Sequence, residues 1–483
     1  MNWVLAGEIA YVVLLIIVCL RVIYDTHSNT KTLAYLMVCI FVPFLGMIFY
    51  FAFGINYRKR KLYSKKLVED DEMFRLLKRD ITTGTEKLLH ENSRTIQVSK
   101  ELISLLLKDN LSPLTGQNRV KLLVNGDETF PEILKAIGEA KKHIHIEYYI
   151  YEDDITGRQI ADALIKKAQE GVAVRFVYDD FGSRSIRRKL IPRMKEAGIE
   201  TYAFYEIIFL FTANRINYRN HRKIIVIDGC TSFVGGINIS DRYINNGNKK
   251  NKVFWRDTHL RIDGPGTHYL QYIFMCDWNF CSDNKLEFKR DYFCEGPPHD
   301  FNTITQIAAS GPDSDKPTIL YSIMQAISLA QKEILITTPY FIPGDSLMDA
   351  LAVAALGGVK VKLLVPGLSD SVLVNTAAKS YFEDMLNAGV EIYQYQKGFI
   401  HAKTIVVDGL ISMVGTANMD FRSFELNFEV NAVIYDNNVA SQLRQHFYDD
   451  LQSATIVDKQ EWNDRPMYKY MLEKIARLLS PLL

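Results

Sequence analysis

The feature that most constrains the fold of this 483-residue chain is an order of segments that occurs twice. Strand-like segments at 143–151 and 172–180 alternate with helical segments in the first half, and strand-like segments at 333–342 and 359–367 do so in the second. Strands that alternate with helices form α/β units in which helices cover a largely buried sheet. The duplication therefore predicts two similar α/β domains that associate as a pseudo-dimer, each contributing half of one site.

Each repeat ends in the same short motif. The motif is His-x-Lys-x4-Asp, and its two copies are His221/Lys223/Asp228 and His401/Lys403/Asp408. A glycine-containing turn and an asparagine follow each copy, at Asn238 and Asn418. Because residues two apart in a strand point to the same face, imidazole and ammonium should lie side by side. One copy carries little weight, but two at matching places of a duplicated unit indicate a functional site.

The residue types in these motifs favour phosphate chemistry. Paired imidazole, ammonium and amide groups form a donor-rich cationic pocket suited to a tetrahedral phosphate, so we expect neither a metal nor another cofactor. One imidazole can attack phosphorus while the other protonates the leaving alkoxide and then deprotonates the incoming alcohol. A carboxylate on the second ring nitrogen would assist each histidine, and Asp257 and Glu429 occupy matching positions for this role.

Two apolar stretches at the N-terminus predict a membrane anchor. Residues 3–23 and 33–55 each provide about the 20 residues that a helix needs to cross a bilayer. We predict a transmembrane hairpin; a cleaved signal peptide is the alternative for the first stretch, but it lacks a basic start and a small-residue cleavage site. Six Lys and Arg residues at 56–66 place the remainder of the chain in the cytoplasm by the positive-inside rule. The same cluster would attract anionic headgroups.

Overall charge and cysteine spacing argue against a nucleic-acid partner and against a zinc-ribbon or thioredoxin-like site. The chain has 57 Lys and Arg against 56 Asp and Glu, and this balance gives no support for a nucleic-acid partner. The six cysteines lack zinc-ribbon and thioredoxin spacing, so we interpret them as ordinary thiols in a reducing compartment. The alternative is that Cys276, Cys281 and Cys294 clip a loop or bind a metal.

The paired motifs resemble the HKD motifs of the phospholipase D superfamily. The wider sequence is similar to bacterial cardiolipin synthases of the two-span type in its N-terminal hairpin, in Asn217–Lys223, in Gly415–Phe424 and in the terminal Ala476–Leu483. This resemblance covers essentially the whole chain. It implies a membrane-embedded phosphatidyltransferase that converts two phosphatidylglycerol molecules into cardiolipin and glycerol through a phosphohistidine.

The resemblance also implies roles for individual residues. It makes His221 the nucleophile and His401 the general acid and base. The implied phosphate-binding residues are Lys223, Lys403, Asn238 and Asn418. Asp228 and Asp408 belong to the motifs and are expected to be mainly structural.

The predicted division of the chain follows from these segments. It consists of a hairpin at 1–60, a helical linker at 61–115, a first phospholipase D-like domain at 116–300 and a second at 301–483. The second domain ends in an amphipathic helix that either lies in the membrane interface or packs on the domain. An apolar run at 207–211, present only in the first half, either enters the headgroup region or is buried.

The sequence leaves other phosphodiester reactions open. A fold and a site do not name a substrate, so a phospholipase D or another phosphatidyltransferase is the enzymatic alternative. A membrane-tethered nuclease is a second alternative, against which the balanced charge and the absence of a basic stripe with stacking aromatic residues both count.

Overall fold

The computed structural model describes residues 3–26, 29–42, 44–51, 83–89, 93–205, 218–246, 253–294 and 301–480. Two predicted features lie outside the described residues, the basic cluster at 56–66 and the apolar run at 207–211. So do residues 61–82 of the predicted linker at 61–115 and the segment 295–300, where the first domain is predicted to end.

The N-terminal apolar stretches differ from one another in the structure. The first forms one helix, α1 (Trp3–Asp25), which is long and apolar enough to cross a membrane. The second is divided into α2 (Asn29–Phe41) and α3 (Leu45–Phe49), because the sequence has a proline at 43, which disfavours a continuous helix. Among the described residues only α1 has the length and hydropathy of a full span, so the predicted pair of uninterrupted spans is not reproduced.

Among the described residues, the first half contains nine strands and, after the anchor, a helical segment at 83–89 and six α-helices with defined bounds. The strands are β1 (Thr115–Val124), β2 (His143–Tyr148), β3 (Ala173–Asp179), β4 (Glu200–Phe204), β5 (Arg219–Asn220), β6 (Lys223–Ile227), β7 (Thr231–Gly235), β8 (Phe254–Arg256) and β9 (Thr258–Asp263). The helices are α4 (Arg94–Val98), α5 (Lys100–Asn110), α6 (Asn125–Glu139), α7 (Ile155–Gln169), α8 (Leu190–Glu196) and α9 (Thr267–Cys281).

The second half continues the same pattern. Its strands are β10 (Thr303–Ser310), β11 (Glu333–Thr337), β12 (Phe341–Ile342), β13 (Lys360–Pro366), β14 (Glu391–Tyr395), β15 (Gly398–Ile400), β16 (Thr404–Val407), β17 (Ile411–Gly415), β18 (Met419–Asp420), β19 (Asn427–Tyr435) and β20 (Ala454–Ile456). Its helices are α10 (Thr318–Leu329), α11 (Asp345–Leu356), α12 (Val372–Lys379), α13 (Phe382–Ala388), α14 (Phe421–Glu425), α15 (Asn437–Leu451), α16 (Lys459–Asn463) and α17 (Met467–Arg477).

A single large sheet runs through both halves. Its order is β20-β14-β13-β11-β16-β17-β19-β10-β1-β9-β7-β6-β2-β3-β4, with β5 attached to β19. Apart from the edge strand β20, the order on one side of the central antiparallel β10–β1 pair repeats the order on the other. This palindromic order is a pseudo-two-fold arrangement, and the predicted duplicated α/β fold is confirmed.

The hydrophobic core also joins the halves. One face of the sheet carries a separate core in each half. The opposite face carries a core to which both halves contribute, including Ile224 and Leu260 from the first and Val406 and Val430 from the second. The two repeats are therefore packed as one body around the central strands.

Cysteine pairing differs from the sequence expectation. Cys230, directly after the first motif, forms a disulfide with Cys294, so these two residues are not the free thiols that we predicted. Cys276 and Cys281, both among the described residues, are not disulfide-bonded. The bond ties the turn between β6 and β7 to the segment that follows α9.

Candidate active site

Each motif is positioned by a strand of the opposite half. Strand β5, just before His221, pairs with β19 of the second half, and strand β15, just before His401, pairs with β8 of the first. The backbone N–H of His221 donates to the carbonyl of Phe428 at 3.0 Å, and that of His401 donates to the carbonyl of Arg256 at 2.7 Å. Neither motif reaches its position without the other half.

The carboxylates that hold the histidines are exchanged between the halves. His221 Nδ1 lies 2.9 Å from Glu429 Oε2, and His401 Nδ1 lies 2.7 Å from Asp257 Oδ2. An ionised carboxylate on Nδ1 favours the tautomer with the proton on that nitrogen, which leaves the Nε2 lone pair available. Both imidazoles are thus prepared to act through Nε2.

The two carboxylates are supported differently. Glu429 accepts hydrogen bonds from the Thr416 hydroxyl at 2.5 Å and from the Asn427 side chain at 3.2 Å. Asp257 accepts one from the backbone N–H of Thr258 at 2.7 Å. In the first half the position of Thr416 is taken by Gly236, where a Cβ would overlap the Asp257 carboxylate. The glycine therefore provides the space that Asp257 occupies.

The carboxylates are held in their charged form. Burial raises the pKa of Glu429, but the nearby His221 and Lys223 outweigh it and keep the pKa below its ordinary value. Lys403 and His401 do the same for Asp257. Ionised carboxylates are the state that orients the imidazoles.

Both histidines are neutral over most of the physiological range. Burial lowers the pKa of His221 to about 4, against the opposing effect of Glu429. Burial, together with the Lys403 ammonium, lowers the pKa of His401 to about 4. A neutral imidazole is nucleophilic, and a bound phosphate anion would raise both pKa values again.

The motif lysines lie beneath the histidines. Lys223 Nζ donates to the backbone carbonyl of His221 at 2.7 Å, and Lys403 Nζ donates to that of His401 and lies 3.0 Å from its Nδ1. Burial lowers the pKa of Lys223 to about 7 and that of Lys403 to about 8. These ammonium groups are desolvated cations that an anionic ligand would stabilise.

The motif asparagines line the same cavity. Asn238 Nδ2 donates to the Tyr243 hydroxyl at 2.9 Å, and that hydroxyl lies 3.3 Å from His401 Nδ1. Asn418 Nδ2 donates to Asp420 at 3.1 Å, while its buried Oδ1 has no hydrogen-bond partner among the described residues. Sequence reasoning missed Tyr243, because a single tyrosine in an irregular segment carries no repeat signal.

The motif aspartates are outside the cavity. The Asp228 carboxylate accepts from the backbone N–H groups of Lys141, Lys142 and His143, which fixes the start of β2. Asp408 makes the same three contacts at 331–333 before β11. These backbone contacts support the expectation that the two motif aspartates are mainly structural.

The reactive groups face one cavity of about 430 Å³ between the halves. Besides the histidines and asparagines, its wall includes Tyr149, Phe181, Arg219, Trp255, Tyr340 and Arg422. The ring of Tyr149 contacts His221 edge-on at 4.7 Å between centroids. Two imidazoles and two amides line this space, and two buried ammonium groups contact the backbone of the histidines, a set of groups that suits phosphodiester chemistry.

Comparison with known proteins agrees with this geometry. The family model "Cardiolipin synthase, PLD-like domain" matches residues 133–265 and 323–451, and "Phospholipase_D-nuclease N-terminal" matches 11–54. The solved structure of phosphatidylserine synthase from Haemophilus influenzae covers 81% of this chain and 100% of its own, with a TM-score of 0.60 and 15% identity. The fold and the site thus define a duplicated protein of the phospholipase D type.

Comparison with individual bacterial proteins identifies the family within the phospholipase D superfamily. The major cardiolipin synthase of Bacillus subtilis is 41% identical over 475 residues, which is 98% of each chain. A cardiolipin synthase of Alkalihalophilus pseudofirmus is 38% identical over 486 residues, covering 100% of this chain and 95% of its own. The chain belongs to the bacterial cardiolipin synthase family of the phospholipase D superfamily.

Proposed function

We propose that this protein is a cardiolipin synthase that transfers a phosphatidyl group from one phosphatidylglycerol molecule to another, giving cardiolipin and glycerol. The observation that carries the proposal is the pair of imidazoles, each held at Nδ1 by a carboxylate from the opposite half. The family relationship selects this lipid reaction from the phosphodiester reactions that the site allows.

The reaction proceeds in two balanced steps. The bound phosphate raises the pKa of His401, so that His401 carries protons on both Nδ1 and Nε2 in the substrate complex. His221 Nε2 attacks the phosphorus of the first lipid, a P–N bond forms, the P–O bond to glycerol breaks, and His401 gives its Nε2 proton to the leaving oxygen. His401 then takes the proton of the acceptor hydroxyl, whose oxygen attacks phosphorus and releases His221. The order of these two histidine roles rests on the superfamily resemblance.

The lysines and asparagines bind the reacting phosphate. Lys223 and Lys403, which are both buried, supply the positive charge that stabilises the phosphorane-like transition state. Asn238 and Asn418 add neutral donors on the cavity wall. The aspartate–glutamate pair behind the histidines stabilises each imidazolium as it forms.

A product assay tests the reaction directly. Purified full-length protein in vesicles containing labelled phosphatidylglycerol should yield labelled cardiolipin and free glycerol. Phosphatidic acid without cardiolipin would replace the proposal with a phospholipase D activity. Cleavage of single-stranded DNA in place of lipid turnover would point to a nuclease.

We expect chelators to have little effect, because the ammonium groups supply the charge stabilisation. In the same vesicle assay, EDTA should change the initial rate of cardiolipin formation by less than twofold. Strong inhibition that a divalent cation reverses would contradict the metal-free mechanism.

The proposed location is the cell membrane, with α1 and the interrupted α2–α3 segment forming an anchor of two passes. α2 and α3 pack on α1 through a cluster that includes Val18, Val22, Met47 and Tyr50. The basic residues at 56–66 favour a cytoplasmic catalytic body, whereas the Cys230–Cys294 disulfide is a bond more common outside the cytoplasm. Protease protection in inside-out and right-side-out vesicles tests on which side of the membrane the catalytic body lies. Degradation of the catalytic body only in inside-out vesicles would support the cytoplasmic location, and degradation only in right-side-out vesicles would contradict it.

A further inference from the structure

The cavity wall contains a cation that the catalytic mechanism does not use. Arg219 lies two residues before His221 and faces the same cavity, about 7 Å along the extended backbone. Its side chain is only 3% exposed. Neither Nη1 nor Nη2 has a hydrogen-bond partner among the described residues.

A buried guanidinium without hydrogen bonds costs folding free energy. A buried cation without hydrogen bonds loses its hydration without compensation, so such groups are normally paired. Burial lowers the pKa of Arg219 despite the nearby Asp179. The Asp179 carboxylate is occupied by the backbone N–H groups of Phe181, Gly182 and Asn220. Among the described residues, the guanidinium also contacts the Phe181 ring, 4.8 Å from its centroid.

The arginine breaks the symmetry of the site. The corresponding residue two positions before His401 is Phe399, whose ring packs on Trp255 at 4.9 Å between centroids. The position two residues before the histidine therefore carries a buried cation in the first half and an aromatic ring in the second. A pair of chemically identical lipids would meet two different surfaces.

We propose that Arg219 binds the phosphodiester of the acceptor lipid, so that the cavity holds two phosphates, one at the paired histidines and one at Arg219. This inference rests on the proposed function. In cardiolipin one glycerol joins both phosphates, so three carbon atoms separate the attacking oxygen from the acceptor's own phosphodiester. Arg219 thus selects an anionic lipid alcohol over water or a neutral alcohol.

Two reactions of the same phosphatidyl-enzyme separate this role from catalysis. Cardiolipin formation needs an anionic acceptor, whereas exchange of labelled free glycerol into phosphatidylglycerol uses a neutral one. In full-length Arg219→Gln the ratio of cardiolipin formation to glycerol exchange should fall at least tenfold, and Arg219→Lys should recover part of it. Because both rates are measured on one preparation, a loss of folded protein lowers them equally and leaves their ratio unchanged.

Arg184 provides the matched control. It is exposed, lies outside the cavity wall and places its guanidinium 5.1 Å from the same Phe181 ring. Arg184→Gln should leave the ratio at the wild-type value. An equal fall of both rates in the Arg219 variants, an unchanged ratio, or an equal change in Arg184→Gln would overturn the inference. If wild-type protein exchanges glycerol but makes no cardiolipin, the proposed function fails instead.

A second inference rests on the C-terminal helix, whose amphipathic pattern is inverted. α17 packs on α12 with the small or polar residues Glu473 and Ala476 buried. Its apolar residues face outward, at Tyr468, Met471, Leu472, Ile475, Leu478 and Leu479. α12 begins with the equally exposed Val372 and Leu373. We call these eight residues the α12–α17 face.

The cavity explains why such a face would be useful. Its volume of about 430 Å³ is at the low end for small-ligand sites, so it accommodates headgroups and not the acyl chains of two lipids. Val374 of α12 lines the cavity, so the exposed start of this helix lies beside the opening through which the chains must leave. Lys469 is exposed on α17 and matches an anionic lipid surface.

The geometry points to the bilayer as the partner of the α12–α17 face, which rests on the lipid substrate of the proposed function. Ile475→Glu with Leu478→Glu should lower the rate on vesicles at least fivefold relative to the rate on a short-chain, monomerically dissolved phosphatidylglycerol. The rate on each substrate can be followed by either product, cardiolipin or phosphatidic acid, so the ratio of the two rates can be measured in both cases.

Ser441→Glu with Gln442→Glu adds the same charge on the exposed side of α15 and should keep the wild-type ratio. An unchanged ratio in the Ile475/Leu478 variant would overturn the assignment. So would an equal drop on both substrates. A change of oligomeric state without a change of the ratio would make this face a contact between copies.

Discussion

At the scale of single residues, the distinctive feature is the exchange of carboxylates between the repeats. Each histidine depends on an acid from the other half, so neither repeat is a complete catalytic unit. The supports differ, with Thr416 behind Glu429 and a space left by Gly236 beside Asp257. Two copies of one motif have therefore acquired separate surroundings, as two different chemical roles require.

Substitution of the histidines should separate their roles. His221→Ala and His401→Ala should each lower cardiolipin formation by at least about 10³-fold. With a phosphodiester that has a good leaving group, His401→Ala should still accumulate a phosphatidyl-enzyme, because such a leaving group departs without being protonated. His221→Ala should accumulate no phosphatidyl-enzyme, because it lacks the nucleophile.

Acid-quenched labelling of the protein measures this intermediate. His446→Ala, which changes a histidine outside the cavity, should behave as wild type. Labelling in His221→Ala but not in His401→Ala would reverse the two roles.

The crossed acids give a second prediction. Glu429→Gln should slow formation of the phosphatidyl-enzyme, and Asp257→Asn should slow the proton transfers, by about 10- to 100-fold each, as for other groups that orient a histidine. Rapid-quench kinetics distinguishes the two steps. If both variants slowed the same step equally, the assignment of one acid to each role would be wrong.

At the scale of elements, the motifs continue into matching turns. Asp228 and Gly229 have φ values of 52° and 67°, and Asp408 and Gly409 have 53° and 65°. Positive φ at both central positions and the Asp-Gly sequence are typical of a type I′ hairpin. The aspartate side chain then reaches back to three backbone N–H groups, so one residue serves the turn and the adjoining strand.

The turn glycines offer a matched pair for stability. A Cβ at Gly409 meets nothing, whereas one at Gly229 would overlap the backbone of Tyr292. Gly409→Ala should cost only the strain of positive φ, about 1–2 kcal/mol, and Gly229→Ala should cost more. Thermal unfolding of the two detergent-solubilised proteins should show the lower Tm for Gly229→Ala. Equal values would mean that the segment before Cys294 yields easily.

At the scale of the whole molecule, charge in the buried site should set the pH dependence. The pKa of both histidines is lowered to about 4, so the nucleophile becomes protonated only as the pH falls toward that value. The lysine pKa values are lowered to about 7 and about 8, so phosphate binding weakens as the pH rises through this range.

These histidine and lysine titrations predict a bell-shaped pH profile of kcat/KM, because kcat/KM reports the pKa values of groups in the free enzyme. The acid limb should fall near pH 4 and the alkaline limb near pH 7–8. Lys223→Arg should move the alkaline limb upward, because Lys223 has the lower of the two lysine pKa values and a guanidinium keeps its proton. An alkaline limb that stays in place would assign it to another group.

Much of the site followed from the sequence, because the motif spacing acts locally. His221 and Lys223, or His401 and Lys403, lie on one face of a short extended segment whatever the rest of the chain does. Repetition of the α/β order likewise required a duplicated sheet, since each unit must bury its apolar strands under helices. Asp257 and Glu429 were found by their matching positions in the repeats.

What only the tertiary structure decided involves distant partners. The His221–Glu429 and His401–Asp257 pairs join residues 208 and 144 positions apart, and no local pattern selects such a partner. The Cys230–Cys294 bond also joins distant residues, and only the fold shows that Arg219 Nη1 and Nη2 have no hydrogen-bond partner among the described residues. The sequence by itself determined which groups do chemistry, because local spacing fixes their types and faces. The folded halves decided which group each one meets, because packing alone brings distant segments together.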